Sequence, residues 1–157
     1  MDMNQIDINS VLSIENINLD IEAKTKDEAI KEMVSMLYKN GYISDEKAFL
    51  RDVYLREKEG ITGIGKSVAI PHGRSKAVKK TTIAIGRSNN DISWETFDDK
   101  PVRCIIMFAV RDVDISEHLI LLSHVAKLLC DDDIVKVLLN TTNKEEIINI
   151  FRKGVKE

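Results

Sequence analysis

GITGIGKSVAIPHGR, residues Gly60–Arg74, decides the fold of this chain because it supports two incompatible structures. Its first eight residues, Gly60 to Ser67, satisfy the nucleotide-cradling pattern G-x-x-x-x-G-K-[ST], which needs a buried strand before it and a helix after it. Its second half, Val68 to Arg74, is a short β-branched run that delivers a histidine between Pro71 and Gly73. Under the first reading backbone amides hold a nucleotide phosphate. Under the second, an imidazole at a strand end does the chemistry.

The flanks favour the second. Tyr54-Leu-Arg-Glu-Lys-Glu59 enters the stretch as a charged helical end, not a buried strand. Val68-Ala-Ile-Pro71 leaves it, and a helix is disfavoured there because proline lacks an amide donor. One feature sustains the nucleotide alternative: the apolar run Cys104–Val110, followed by Asp112, imitates a strand and acid that hold Mg²⁺. The glycines are expected to be turn residues that let a loop pass close to a site.

The surrounding apolar pattern predicts one α/β domain over residues 1–157, a mixed central β-sheet flanked by helices on both faces. Asn16–Ile21 alternates as a strand. Thr25-Lys-Asp-Glu28 reads as a capping box for a helix through Ala29, Ile30, Met33, Val34 and Leu37, ended by Gly41. Ser44-Asp45-Glu46 opens a second helix to about Lys58. Val68–Ile70, Thr81–Ile85 and Val102–Val110 read as strands, with a short edge run at Ile92–Trp94. CIIMFAV (Cys104–Val110) has no polar alternation, as expected of a central strand covered on both faces. Ser116 is expected to cap a helix to about Leu129, Asp131–Asp133 to open a short one, and Thr142-Asn-Lys-Glu145 to box a last one.

Composition excludes several classes. Hydrophobic and charged fractions of 43% and 31% are those of an ordinary globular domain. No apolar run nears the ~18 residues of a membrane span. MDMNQIDINS is too acidic and polar for a signal peptide. Cys104 and Cys130 without C-x-x-C spacing suggest reduced cytoplasmic thiols, and the histidine spacing does not suit a metal. Although net charge is −3, Ile61–Asn90 contains no acid and six basic residues, Lys66, Arg74, Lys76, Lys79, Lys80 and Arg87. Such a stretch tolerates a dianion. Nucleic acid is disfavoured by the acidic total and the lack of interleaved aromatics.

His72 suits phosphoryl chemistry. A neutral imidazole, with an ordinary pKa of about 6.5, attacks phosphorus without a general base. Charge on the transferring oxygens is then stabilised by arginine, lysine or helix N-termini. Lys66 and Arg74 are candidate secondary phosphate contacts.

The stretch resembles the phosphorylation site of type-2 enzyme IIA domains, the fructose–mannitol family of the bacterial phosphoenolpyruvate:sugar phosphotransferase system. The shared elements are R-E-x-x-G at Arg56–Gly60, T-G-I-G at Thr62–Gly65, A-I-P-H-G at Ala69–Gly73, D-x-x-P-V at Asp98–Val102 and E-H-L-x-L-L at Glu117–Leu122. They run in the family's order from about residue 14 to 151. The resemblance implies that His72 accepts and donates a phosphoryl group, with His118 and Arg56 stabilising it. It implies phospho-HPr as donor, an enzyme IIB cysteine as acceptor and a membrane sugar permease as downstream partner, with no cofactor, metal or nucleotide. Gly-Arg after the histidine and the D-x-x-P-V segment look fructose-type. Two alternatives stay open, a nitrogen-type regulatory IIA acting by phosphorylation-dependent binding and a nucleotide binder at 60–67. His124 is expected to be structural, because six residues along a helix turn it ~120° away from His118.

Overall fold

A computed structural model describes residues 11–156; the N-terminal segment read as too polar for a signal peptide lies outside them. Among the described residues the strands are β1 (Leu12–Ile21), β2 (Gly63–Gly65), β3 (Val68–Ala69), β4 (His72–Ser75), β5 (Thr82–Ile92) and β6 (Val102–Arg111). The helices are α1 (Lys26–Lys39), α2 (Glu46–Glu59), α3 (Ile115–Leu129), α4 (Asp132–Asn140) and α5 (Lys144–Lys156). The strands form one six-stranded mixed sheet in the order β1-β5-β6-β3-β2, with β4 also paired to β6.

β6 is the spine, and its uninterrupted apolar sequence explains why. Cys104, Ile106, Phe108 and Val110 face a core shared with α3, α4 and α5, whereas Ile105, Met107 and Ala109 face one shared with α1 and α2. Every residue from Cys104 to Val110 is fully buried. Helices therefore cover both faces, as the sequence predicts.

Val68–Ser75 runs parallel to β6 as one broken line. Val68 and Ala69 pair with Cys104 and Ile105, and His72 to Ser75 pair with Phe108 to Arg111 in the same register. Ile70 and Pro71 form the break. The Pro71 carbonyl still accepts the Phe108 amide, while the Ile70 amide turns away to the Thr62 carbonyl. This kink brings His72 to the sheet edge.

Local signals place most helices. Thr25 Oγ1 accepts the Glu28 amide, and Glu28 reaches back to the Lys24 amide rather than to Thr25 itself. Asp45 and Asp131 cap α2 and α4 with their carboxylates, each such cap being worth about 1 kcal/mol. Two expectations need correction. Asp114, not Ser116, is the N-cap of α3, and its carboxylate is committed to Thr81 and Arg111 instead of to helix amides. α5 begins at Lys144, with Asn143 Oδ1 taking the Glu145 amide, so the predicted box at Thr142 is one residue early.

The strand boundaries also moved. β1 starts at Leu12, and the run around Ile92 is the end of long central β5, where Ile92 pairs with Val102, rather than a separate edge strand. The expected glycine loop contains the edge strand β2, antiparallel to β3. Its turn falls on Lys66 and Ser67 at φ 57° and 65°, a two-residue reversal whose positive φ values match hairpin twist.

Candidate functional site

At the sheet edge, where the two helical layers meet, a cleft of about 340 Å³ is lined by Asp52, Leu55, Arg56, Glu59, His72, Arg74 and His118. Each layer contributes one wall. α2 is anchored by buried Phe49 and Val53 and presents Asp52, Leu55, Arg56 and Glu59, while α3 is anchored by Leu121 and Val125 and presents His118. β4 forms the floor.

Gly73 sets the depth of this arrangement. A Cβ there would lie 3.0 Å from both Phe49 Cε1 and Val53 Cγ2, tighter than ordinary van der Waals contact. The glycine after the histidine thus lets α2 close onto β4, which brings Arg56 within reach of His72.

Both nitrogens of His72 are engaged. The residue is 5% exposed. Nδ1 lies 3.0 Å from the Ile70 carbonyl, which can only accept, so Nδ1 carries the proton. Nε2 is then the nitrogen with the lone pair, and it accepts the Arg56 Nε–H at 3.0 Å. Burial pushes the His72 pKa down; the Ile70 hydrogen bond opposes this, Arg56 reinforces it, and the Glu57 and Glu59 carboxylates oppose it. The result is a neutral imidazole with a defined tautomer, the nucleophilic form.

His118 stands edge-on to His72, with ring centroids 4.8 Å apart and planes at 70°. Phe108 completes an aromatic triangle, 6.0 Å from His72 and 6.3 Å from His118. The Nε2 of His118 is buried and has no hydrogen-bond partner among the described residues, a costly state unless a ligand satisfies it. Burial first, then the charges of His72, Arg74 and Arg56, push its pKa down to about 4. Its backbone amide already bonds the Asp114 carbonyl. What His118 offers an anion is therefore its ring, not the free helix amide that its place near the start of α3 suggests.

Of the five residues singled out in the sequence, the fold brings His72, His118, Arg56 and Arg74 to one cleft and leaves Lys66 out. The Lys66 ammonium sits 2.9 Å from the Asp132 carboxylate and 3.0 Å from the Leu129 carbonyl, locking the β2–β3 turn to the α3–α4 corner. No helix follows Ser67, since β3 begins at Val68. His124 bonds the Phe151 carbonyl between α3 and α5, as a structural histidine would. The sequence reading missed Asp52, Leu55 and Glu59. Helical spacing from Arg56 puts Asp52 one turn before it and Glu59 nearly one turn after, a signal that was available.

The comparisons with known proteins identify the family and agree with the fold. The family model described as "Phosphoenolpyruvate-dependent sugar phosphotransferase system, EIIA 2" matches residues 10–154. The chain is 31% identical over 153 residues to a fructose-specific EIIA component of Haloferax volcanii, covering 98% of this chain and 99% of that one. It is 35% identical over 146 residues, 93% of this chain, to a fructose-specific EIIABC component of Bacillus subtilis, and spans 23% of that longer protein. Among solved structures, nitrogen regulatory protein IIA-Ntr of Neisseria meningitidis superposes with a TM-score of 0.85 at 31% identity, over 92% of this chain and 98% of that one. The mannitol enzyme IIA of Escherichia coli, solved in complex with phosphorylated enzyme IIB, gives a TM-score of 0.77 at 28% identity, over 91% and 99%.

Proposed function

The chain belongs to the EIIA 2 family of the phosphoenolpyruvate-dependent sugar phosphotransferase system, and from that premise we propose that it is a cytoplasmic phosphocarrier with His72 as its phosphoryl acceptor and donor. One observation carries the assignment to a single atom: the Ile70 carbonyl holds the proton on Nδ1 and leaves the Nε2 lone pair toward the cleft.

The geometry supports a direct transfer. Nε2 attacks the phosphorus of phospho-HPr; the donor's P–N bond breaks and its electron pair returns to the donor imidazole. Arg56 must leave the Nε2 lone pair for this, and its planar guanidinium then pairs with the phosphoryl oxygens. The unpartnered Nε2 of His118 supplies a further hydrogen bond when protonated, and the incoming negative charge raises its pKa from the depressed resting position. Arg74 adds positive charge at the mouth. Because Nδ1 keeps its proton on Ile70, the phosphorylated ring leaves as a neutral imidazole when an enzyme IIB thiolate attacks the phosphorus. No metal or nucleotide enters either step.

The rim fits transient partners. Leu55 of the cleft wall, with Ile115 and Leu119 flanking His118 along α3, are 52%, 53% and 64% exposed, an apolar border that successive partners can share at the small end of the interface range. The names of the Bacillus and Haloferax relatives support a fructose-like sugar, taken up through a membrane permease. Incubation with phosphoenolpyruvate, enzyme I and HPr tests the assignment: the protein acquires acid-labile phosphate and His72→Ala does not. Phosphate on the alanine variant would sink it.

A second reading has its own support. The superposition on IIA-Ntr is consistent with a regulatory paralogue that takes the same phosphate but acts by binding other proteins. Transfer of the phosphate onward to an enzyme IIB cysteine supports the transport role; retention with phosphate-dependent capture of a non-transport protein supports the regulatory one.

A further inference from the structure

Behind the cleft lies a polar cluster that the phosphoryl chemistry does not itself use. The Glu57 side chain is 8% exposed, and its carboxylate lies 2.7 Å from the Lys26 ammonium of α1. It also accepts the Thr62 hydroxyl, at 2.8 Å to the nearer oxygen. Thr62 is buried, and its hydroxyl oxygen accepts the Trp94 indole N–H at 3.2 Å. Lys26 lies over the Trp94 ring, 5.2 Å from its centroid. Four side chains from α1, α2, the β2 approach and the segment after β5 thus satisfy one another in a nearly closed network.

The position of this network matters more than its strength. Glu57 is the residue after Arg56, so clamping its carboxylate fixes the last turn of α2, from which Arg56 reaches His72 Nε2. Thr62 has a second attachment: its backbone carbonyl accepts the Ile70 amide at 2.9 Å. The Ile70 carbonyl, at the other side of the same residue, is the group that holds the proton on His72 Nδ1. One clamp therefore reaches both nitrogens of the reactive ring, Nε2 through Arg56 and Nδ1 through Ile70.

We propose that Glu57 and Thr62 are positioning residues that fix the tautomer and the arginine partner of His72, with Lys26 and Trp94 completing their hydrogen bonding. The proposal rests on the phosphocarrier reading for its kinetic consequence, but not for its structural one. A misplacement of about 1 Å at a reacting group costs on the order of 100-fold in rate.

Three variants test it: Thr62→Val, which keeps shape and removes the hydroxyl; Thr62→Ser, which restores it; and Glu57→Gln with Lys26→Met, which removes both charges together so that neither is left buried alone. Two readouts are needed. The first is the ¹⁵N spectrum of His72, which reports the tautomer and the Nε2 hydrogen bond in the unphosphorylated protein. The second is the rate of phosphoryl acceptance as the phospho-HPr concentration is varied. Thr62→Val and the double variant are expected to lose the single Nδ1–H tautomer and to lower kcat by roughly 10- to 100-fold. The donor KM stays within about threefold, as for groups that do not touch the partner, and Thr62→Ser returns both readouts to wild type. Folded Thr62→Val and double variants with an unchanged His72 spectrum and kcat within about twofold overturn the proposal. If the wild type accepts no phosphate, the phosphocarrier reading fails, and the spectra still decide the positioning claim. If the double variant does not fold, the Val and Ser pair decides it.

Discussion

The two halves of residues 60–74 carry similar polar groups and put them to opposite uses. In the first half every conspicuous group is occupied. Lys66 is paired with Asp132, its amide donates to Asp98, the Gly63 and Ser67 carbonyls accept amides, and Thr62 is saturated. In the second half, the His72 Nε2 lone pair is engaged by the Arg56 side chain, which lines the same cleft. The phosphate-binding pattern is a matter of spacing, while reactivity depends on which groups the fold leaves available. A lysine in a matching motif signifies little until its counter-ion is known.

The sharpest break of this contrast is a pair of substitutions. His72→Ala is expected to abolish phosphoryl acceptance, a loss of at least ~10³-fold for a missing nucleophile, whereas Lys66→Ala keeps the rate within about threefold and costs at most ~1 kcal/mol of stability for an exposed ion pair. Phosphorylation time courses and urea midpoints on the two variants check both arms. A smaller kinetic effect is expected from Arg56→Lys. It keeps the charge but loses the planar fork, so acceptance should fall by roughly 10- to 100-fold in kcat, less than the ~10²–10³-fold of a fully lost transition-state hydrogen-bond donor.

Backbone substitutions divide the halves again. Gly73→Ala should destabilise by about 1–3 kcal/mol, because its methyl meets Phe49 and Val53 under α2. Ser67→Gly, at φ 65°, should instead stabilise by up to about 1 kcal/mol by relieving a left-handed serine. Denaturation midpoints that move in the same direction would erase the distinction.

The smallest expected effect is on pH dependence. His118 is held at about 4, below the ~6.5 of a free imidazole. Between those values the unfolded chain binds a proton that the folded chain does not, so stability rises with pH from roughly 4 to 6.5 and is complete above that. His72, lowered in the same direction by burial, adds to the trend. Urea midpoints should therefore be higher at pH 7 than at pH 5. His118→Gln should shrink the gap by about 1 kcal/mol or less, since the ring is only half-buried and solvent screens it.

Much of this was legible from local chemistry. CIIMFAV has the uninterrupted apolar pattern of a strand covered on both faces, and Thr25, Asp45 and Asp131 announced their helices because a side-chain oxygen three residues or fewer before an amide is a short-range arrangement. The failures were long-range. Ser116 lost its capping role because Asp114, tied to Thr81 and Arg111, already ends the turn before α3. Strands β2 and β4 were hidden by glycine and by the Ile70–Pro71 break, and only their pairing, β2 with β3 and β4 with β6, reveals that they are strands. Lys66 resembled a phosphate ligand until Asp132, 66 residues away, claimed it. At the cleft, His72 and Arg56 were readable by resemblance, whereas the tautomer was not: it depends on the Ile70 carbonyl, which the kink alone turns toward the ring.

The most direct test is to phosphorylate ¹⁵N-histidine-labelled protein with phosphoenolpyruvate, enzyme I and HPr, and to look for ³¹P–¹⁵N coupling. Coupling to Nε2 of His72, with Nδ1 still protonated, is the expected result. Coupling to Nδ1 of His72 or to either nitrogen of His118 would contradict it.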